Sequence, residues 1–167
     1  TSREGERRVP LDQFFLDYRK TALKAGEILS LVEVPVPGPE WKMGTYKVSK
    51  RRELDISAVC GAFAVLLGDQ GEVVKARLCY GGMAATTRRA TITEAALMGQ
   101  VWNRENLEGA LAHLADDFSP LDDQRGSGWF RATLARNLLI GFFLETEKTP
   151  FKALPDRPSS TLVLADQ

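Results

Sequence analysis

Apolar residues in the chain change rhythm from stretch to stretch. Residues 45–50 alternate enough to predict a strand. Residues 57–67 are almost continuously small and apolar, with β-branched and aromatic members, and predict a fully buried strand. Gly68, Asp69, Gln70 and Gly71 then spell a hairpin turn. Residues 73–80 return antiparallel. There Lys75 and Arg77 alternate with Val74, Ala76 and Leu78, so this strand has one wet face. The paired glycines Gly81 and Gly82 end it, either as a turn out of the sheet or as a place where the backbone is closely approached.

The period then lengthens to that of helices. Residues 93–101 predict a short one. Asn103 is placed to cap a second, running to about Asp117, with Leu107, Leu111, Leu114 and Phe118 as its apolar stripe. Ser119 and Pro120 break it. Ser127 caps a long helix to about Glu147, for which Phe130, Leu134, Leu138 and Leu144 are the expected core positions and Arg131, Arg136 and Glu145 the expected exposed ones. Strands followed by helices predict an α+β fold, an antiparallel β-sheet with helices packed on one face.

The ends are less regular. Residues 9–19 concentrate Leu11, Phe14, Phe15, Leu16 and Tyr18, which should pack on something. Ile28, Leu31, Val32 and Val34 form a β-rich run stopped by Pro35 and Pro37. Pro37, Gly38 and Pro39 mark a domain junction, which divides the chain into 1–40 and 46–148. Residues 149–167 are expected to form a loose tail, in which 161–164 could add an edge strand. The chain opens on Thr1, as expected of a piece of a longer polypeptide.

Composition narrows the classes. Twenty-two Lys and Arg balance 22 Asp and Glu, so the net charge is zero, and wholesale binding to nucleic acid or an anionic membrane is disfavoured. Cys60 and Cys79 lie inside strands and read as buried, reduced thiols of a cytoplasmic protein. No run of membrane-spanning length or signal peptide is visible. His113 has no partner at ligand spacing, so no metal site or histidine-based triad is expected. No phosphate-loop glycine spacing occurs.

The densest chemistry is a charge knot. Lys47, Lys50, Arg51 and Arg52 are followed by Glu53 and Asp55, directly before the most apolar strand. Fixed charges at the rim of a packed sheet can hold an anionic ligand or a redox ring. On spacing alone the commoner outcome of such a run is a solvated loop whose arginines pair with Glu53 and Asp55.

Several strings, in order, resemble one family. FFLDYRKTAL (14–23), GEILSLVEVPVP (26–37), YKVSKRRELDISAV (46–59), LCYGGMAATTRRA (78–90) and FRATLARNLLIGFF (130–143) are similar to the flavin-binding part of the xanthine dehydrogenases, carried on the small subunit in bacteria. Related molybdenum hydroxylases, including CO dehydrogenase, share the domain plan.

The resemblance implies that residues 1–40 end an FAD-binding domain. Residues 46–148 would form the domain that follows it, similar to the CO dehydrogenase flavoprotein C-terminal domain. It implies FAD as cofactor, with Leu29 and Lys47 on family FAD contacts. Arg51, Arg52 and Asp55 would stand on a loop at the flavin's NAD side. Leu54 stands where animal members carry an acid. Iron–sulfur clusters and molybdopterin would belong to the complete enzyme, whose FAD passes electrons from the clusters to NAD in purine oxidation. The implied partners are the upstream FAD-binding and iron–sulfur domains and a molybdenum-binding subunit. No residue of this chain is expected to be catalytic, and the isolated chain should bind FAD weakly and be inactive. The alternative is a non-catalytic interaction domain that grips an acidic partner through the basic loop.

Overall fold

The computed structural model describes residues 1–51 and 55–147. Its centre is a four-stranded antiparallel sheet in the order β3 (Trp41–Val48), β4 (Val59–Leu67), β5 (Val73–Gly81) and β6 (Arg88–Arg89). A separate two-stranded ribbon, β1 (Phe15–Asp17) and β2 (Lys20–Thr21), precedes it. Helices α1 (Thr91–Leu97), α2 (Arg104–Leu111), α3 (Leu114–Asp117) and α4 (Gly128–Glu147) follow. The α+β expectation holds.

The sheet has one packed face and one open face. On β4, Val59, Phe63 and Val65 are buried, while Cys60, Ala64 and Leu66 are half-buried and Ala62 is exposed. The fully buried strand expected over 57–67 is therefore a half-buried one that begins at Val59. Its apolar run looks continuous because the open side carries small residues, which add apolarity without needing cover. Strand β3 starts at Trp41, earlier than expected, and ends at Val48.

A bulge corrects the face of β5. Leu66 pairs with Lys75 but Leu67 with Val73, so Val74 is an extra residue in the ladder. The extra residue shifts the alternation. Val73 is buried with Ala76, Leu78 and Tyr80, and Val74 is exposed. The preceding turn forms as expected, with Gly71 N–H donating to the Gly68 carbonyl at 3.0 Å and Gly71 at φ +78°.

Helix α4 packs on β4 and β3. Its buried positions are Arg131, Ala135, Leu139, Phe142, Phe143 and Thr146. Phe130 and Leu144, expected in the core, are substantially exposed, and Arg131, expected outside, is buried. Leu134 and Leu138 pack only at the core's margin. The helix is rotated by about one residue from the expected stripe because Arg131 carries the core-facing row at 131, 135, 139 and 142. Phe142 lies 5.6 Å from Phe63, and Phe63 lies 5.0 Å from Tyr80, ring centre to ring centre. These spacings suit tilted aromatic pairs. Gly44 permits the approach: a Cβ there would come within 2.9 Å of the Phe142 ring.

The other helices close the core's flank. Asn103 caps α2 as expected, its Oδ1 accepting from Asn106 N–H at 2.9 Å. The single helix expected to Asp117 is instead two, broken at Ala112 and His113. There His113 Nδ1 lies 3.1 Å from the Asp116 carboxylate, so its partner is local. Helix α1 starts at Thr91 and stops at Leu97.

The outer edge of β5 is closed by unlike devices. Strand β6 pairs with Cys79 and Tyr80, and Gln100 supplies a carbonyl to Val73 N–H at 2.9 Å. Between them, Glu94 takes the place of a strand: its Oε1 accepts from Leu78 N–H at 2.7 Å, and the same carboxylate pairs with Arg89. Glu94 is 5 % exposed.

The N-terminal stretch departs from expectation. Leu11, Phe15, Leu16 and Tyr18 are exposed, and Phe14 and Phe15 pack edge-on mainly against each other. Residues 28–36 form no strand, and Ile28, Leu31, Val32 and Val34 are all exposed. An extended β-rich run needs a ladder partner, and among the described residues the only backbone partner shown is Thr1, which exchanges hydrogen bonds with Ile28 at 2.9 and 3.1 Å, too little to make a strand. Cys60 and Cys79 are free thiols as expected, but half-buried rather than buried. The expected tail and its edge strand at 161–164 lie outside the described residues.

Glu94→Ala removes the acceptor of a buried N–H and the partner of Arg89 at once. Denaturant unfolding of this variant is expected to show a loss of about 2–4 kcal/mol, whereas an exposed control such as Glu105→Ala stays within about 0.5 kcal/mol.

Candidate functional site: the open sheet face and the charge loop

Residues directly paired across an antiparallel ladder point to the same face. Lys47 pairs with Cys60, Thr45 with Ala62 and Met43 with Ala64. On the other side, Ala62 pairs with Cys79 and Ala64 with Arg77. The open face is thus floored by Cys60, Ala62 and Ala64, with Met43, Thr45 and Lys47 along one side and Arg77 on the other. Met43 is 50 % exposed. Small floor residues leave a flat surface, and Lys47 and Arg77 make its rim cationic.

Lys47 owes its position to its neighbours. Tyr46 and Val48 point inward and set the strand's parity. Tyr46 packs 5.7 Å from Phe63, and its hydroxyl donates to Glu145 Oε2 at 2.5 Å. Burial, reinforced by the Glu145 carboxylate, raises the Tyr46 hydroxyl well above the usual range, so it stays protonated. Lys42 Nζ donates to the Thr146 carbonyl at 3.0 Å, which pins the same strand to the end of α4.

Past the end of β3, Arg51 and Asp55 meet. Asp55 Oδ2 accepts from Arg51 N–H at 3.2 Å, and Oδ1 lies 3.7 Å from the guanidinium. The backbone N–H first and the charge second hold the Asp55 carboxyl below its ordinary value. The pairing of Arg51 with Asp55 expected of a solvated loop is therefore present. Arg52, the remaining cation of the knot, lies outside the described residues. Leu29 is 57 % exposed on the extended stretch before β3 and shares no element with Lys47, Arg51 or Asp55.

A second set of residues, missed in the sequence, fixes where the loop returns to the sheet. The Arg131 side chain is 5 % exposed. Its Nη1 donates to the Ala58 carbonyl and, at 2.8 Å, to the Gly82 carbonyl, while Nη2 reaches Asp123 Oδ1 at 2.5 Å. One guanidinium therefore ties together the start of β4, the exit of β5 and the loop before α4. Gly82 sits at φ +81°, and a Cβ there would strike the Ala58 carbonyl, so the second of the paired glycines is required by this clamp. The signal in the sequence was the glycine pair together with an arginine on the apolar row of α4.

With this geometry in place, the comparisons with known proteins are decisive. Residues 44–146 match the CO dehydrogenase flavoprotein C-terminal domain family. The chain belongs to that family. It is 38 % identical over 147 residues to a xanthine dehydrogenase/oxidase of Gallus gallus, covering 86 % of this chain and 11 % of the relative. It is 36 % identical over 144 residues to a nicotinate hydroxylase of Emericella nidulans, again covering 11 % of the relative and 83 % of this chain. The chain thus spans about a tenth of the length of these curated relatives. Among solved structures it superposes on quinoline 2-oxidoreductase from Pseudomonas putida 86 with a TM-score of 0.76 at 25 % identity, covering 90 % of this chain and 52 % of that one. It is the C-terminal domain of the flavoprotein part seen in the molybdenum hydroxylase family. Among the described residues no group of side chains could hold a metal ion, and no helix is long and apolar enough to cross a membrane.

The clamp gives a pH dependence. The Asp123 carboxyl is held below its ordinary 3.8 by the Arg125 backbone N–H and then by Arg131. A carboxyl lowered by folding stabilises fully above its unfolded value, and that contribution is lost as pH falls through the lowered one. Acid unfolding of Asp123→Asn should therefore show a shallower loss of stability below about pH 4 than the parent. Arg131→Met strands the Ala58 and Gly82 carbonyls and is expected to cost about 2–4 kcal/mol in denaturant unfolding.

Proposed function

We propose that this domain forms one wall of the FAD site in a xanthine dehydrogenase-like molybdenum hydroxylase, in the module that passes electrons from iron–sulfur clusters through FAD to NAD. The observation that carries the proposal is the open sheet face: a flat floor of Cys60, Ala62 and Ala64 with Lys47 standing at its side. These residues fit a planar, partly anionic group. The small side chains allow close approach, and the lysine supplies a charge at its edge.

FAD, when bound, supplies the redox chemistry. The chain's own residues exclude water from one side of the site and set its potential. Lys47 opposes loss of a negative charge there, so it favours the reduced state. Arg51, which pairs with Asp55, is proposed for the side that takes NAD, and the same role is proposed for Arg52 from the resemblance alone. Leu29 is proposed as an apolar contact from the preceding domain, with which residues 1–40 belong. The exposed apolar row at 28–36 supports that assignment, because it fits a strand whose sheet lies elsewhere. Iron–sulfur clusters, molybdopterin and a molybdenum-binding subunit are proposed for the whole enzyme, in the cytoplasm.

The test is made in the full-length enzyme. Lys47→Met is expected to lower the flavin reduction potential or weaken FAD binding, read by spectroelectrochemistry and by flavin release. Arg52→Ala is expected to weaken NAD-linked turnover while dye-linked substrate oxidation persists. Both variants should melt within about 2–4 °C of the parent, as expected if each charge contributes only about 0–1 kcal/mol to stability. Unchanged potentials and NAD kinetics together with a large drop in melting temperature overturn the proposal and make the charge knot structural.

A further inference from the structure

A cleft of about 240 Å³ lies between the returning charge loop and the loop before α4, lined by Lys50, Asp55, Ile56, Ala58, Gln124 and Arg125. Its local charges do not cancel. Among the described residues at and around it, Arg51 is matched by Asp55 and Arg131 by Asp123, while the Asp122 carboxylate is turned to the Gly128 N–H at the start of α4, so four cations face three carboxylates. That leaves Lys50 and Arg125, and these are the two cations that line the cleft. Lys50 Nζ donates to a neutral group, the Gln124 carbonyl, at 2.5 Å. The Arg125 guanidinium reaches Asp123 only at 3.5 Å, and that carboxylate already serves Arg131 at 2.5 Å and the Arg125 backbone N–H at 2.7 Å. The cleft's walls are set by the buried Arg131, which holds Ala58 on one side and Asp123 on the other.

We infer that this cleft is an anion subsite that takes a phosphate group between Lys50 and Arg125. Two cations on opposite walls favour a multivalent oxyanion, to which charge-assisted hydrogen bonds are strong. The volume is below the ~300–1,000 Å³ of pockets that enclose whole drug-sized ligands, so the cleft accepts a charged group and leaves the rest of its carrier outside. Asp55 is the one carboxylate in the lining. Arg51 occupies both its oxygens, which lowers its repulsion of an incoming anion without abolishing it.

The inference does not rest on the flavin proposal: its two cations, Lys50 and Arg125, have no part in that proposal, and its readout is binding. Full-length protein is titrated calorimetrically with inorganic pyrophosphate, and in a second arm with ADP, at low and at moderate ionic strength. Saturable binding that weakens with salt is expected. Lys50→Gln and Arg125→Gln should each raise the Kd about tenfold, and Asp55→Asn should lower it. Equal affinity for pyrophosphate and ADP supports a subsite for the group alone. Tighter binding of ADP supports a nucleotide as the carrier. Absence of binding at millimolar pyrophosphate and ADP, or a Kd unchanged in both Lys50→Gln and Arg125→Gln, overturns the inference. The flavin potential of these variants is measured alongside; its constancy separates failure of this subsite from failure of the flavin proposal.

Discussion

The structure depends on placing its buried aromatic rings on one side of the sheet. Phe63 of β4 touches Tyr46, Tyr80 and Phe142, so one ring joins three strands to α4. Trp102 lies 5.4 Å from Phe143 and donates its indole N–H to Thr146 Oγ1 at 3.1 Å, which anchors the far end of the same helix. Burying rings of this size is the main favourable term in a domain of this length. Because that burial is complete on one face, the other face can remain flat and small-featured without loss of the fold. An open face with Ala62 and Ala64 at its centre is thus a consequence of where the core lies.

The polar machinery is arranged around that division. Glu94 and Arg131 are both buried charges, and each satisfies backbone groups at a point where the sheet ladder runs out. Glu94 accepts from β5 where β6 is too short to do so. Arg131 donates to carbonyls where β4 begins and where β5 has ended. Both are paired, as buried charges must be. The charge loop is therefore fastened at its base, while Lys50, Arg51 and Asp55 at its rim remain available to solvent or ligand.

Much of this was legible in the sequence. The hairpin β4–β5 followed from two apolar runs around one glycine turn, and the caps at Asn103 and Ser127 followed from their hydrogen-bonding side chains. Other features were hidden for identifiable reasons. The open face of β4 was masked because Ala62 and Ala64 are apolar whether or not they are covered. The face of β5 was reversed at Val73 and Val74 by a bulge, which has no residue signature here. The α4 stripe was displaced because an arginine occupies a core-facing position, where periodicity alone treats it as exposed. The strand that carries Lys47 was legible in its alternation; the Arg131 clamp depends on contacts 73 and 49 residues apart in sequence, which no local pattern carries.

The central claim, that the open face is a wall of the flavin site, is most directly tested at Cys60, the cross-strand partner of Lys47. Alkylation of Cys60 in the full-length protein can be followed by peptide mass spectrometry, with FAD bound and after its removal. The account predicts slow labelling with FAD and faster labelling without it, while circular dichroism stays unchanged. Equal labelling rates in the two states, with the fold intact, would contradict it.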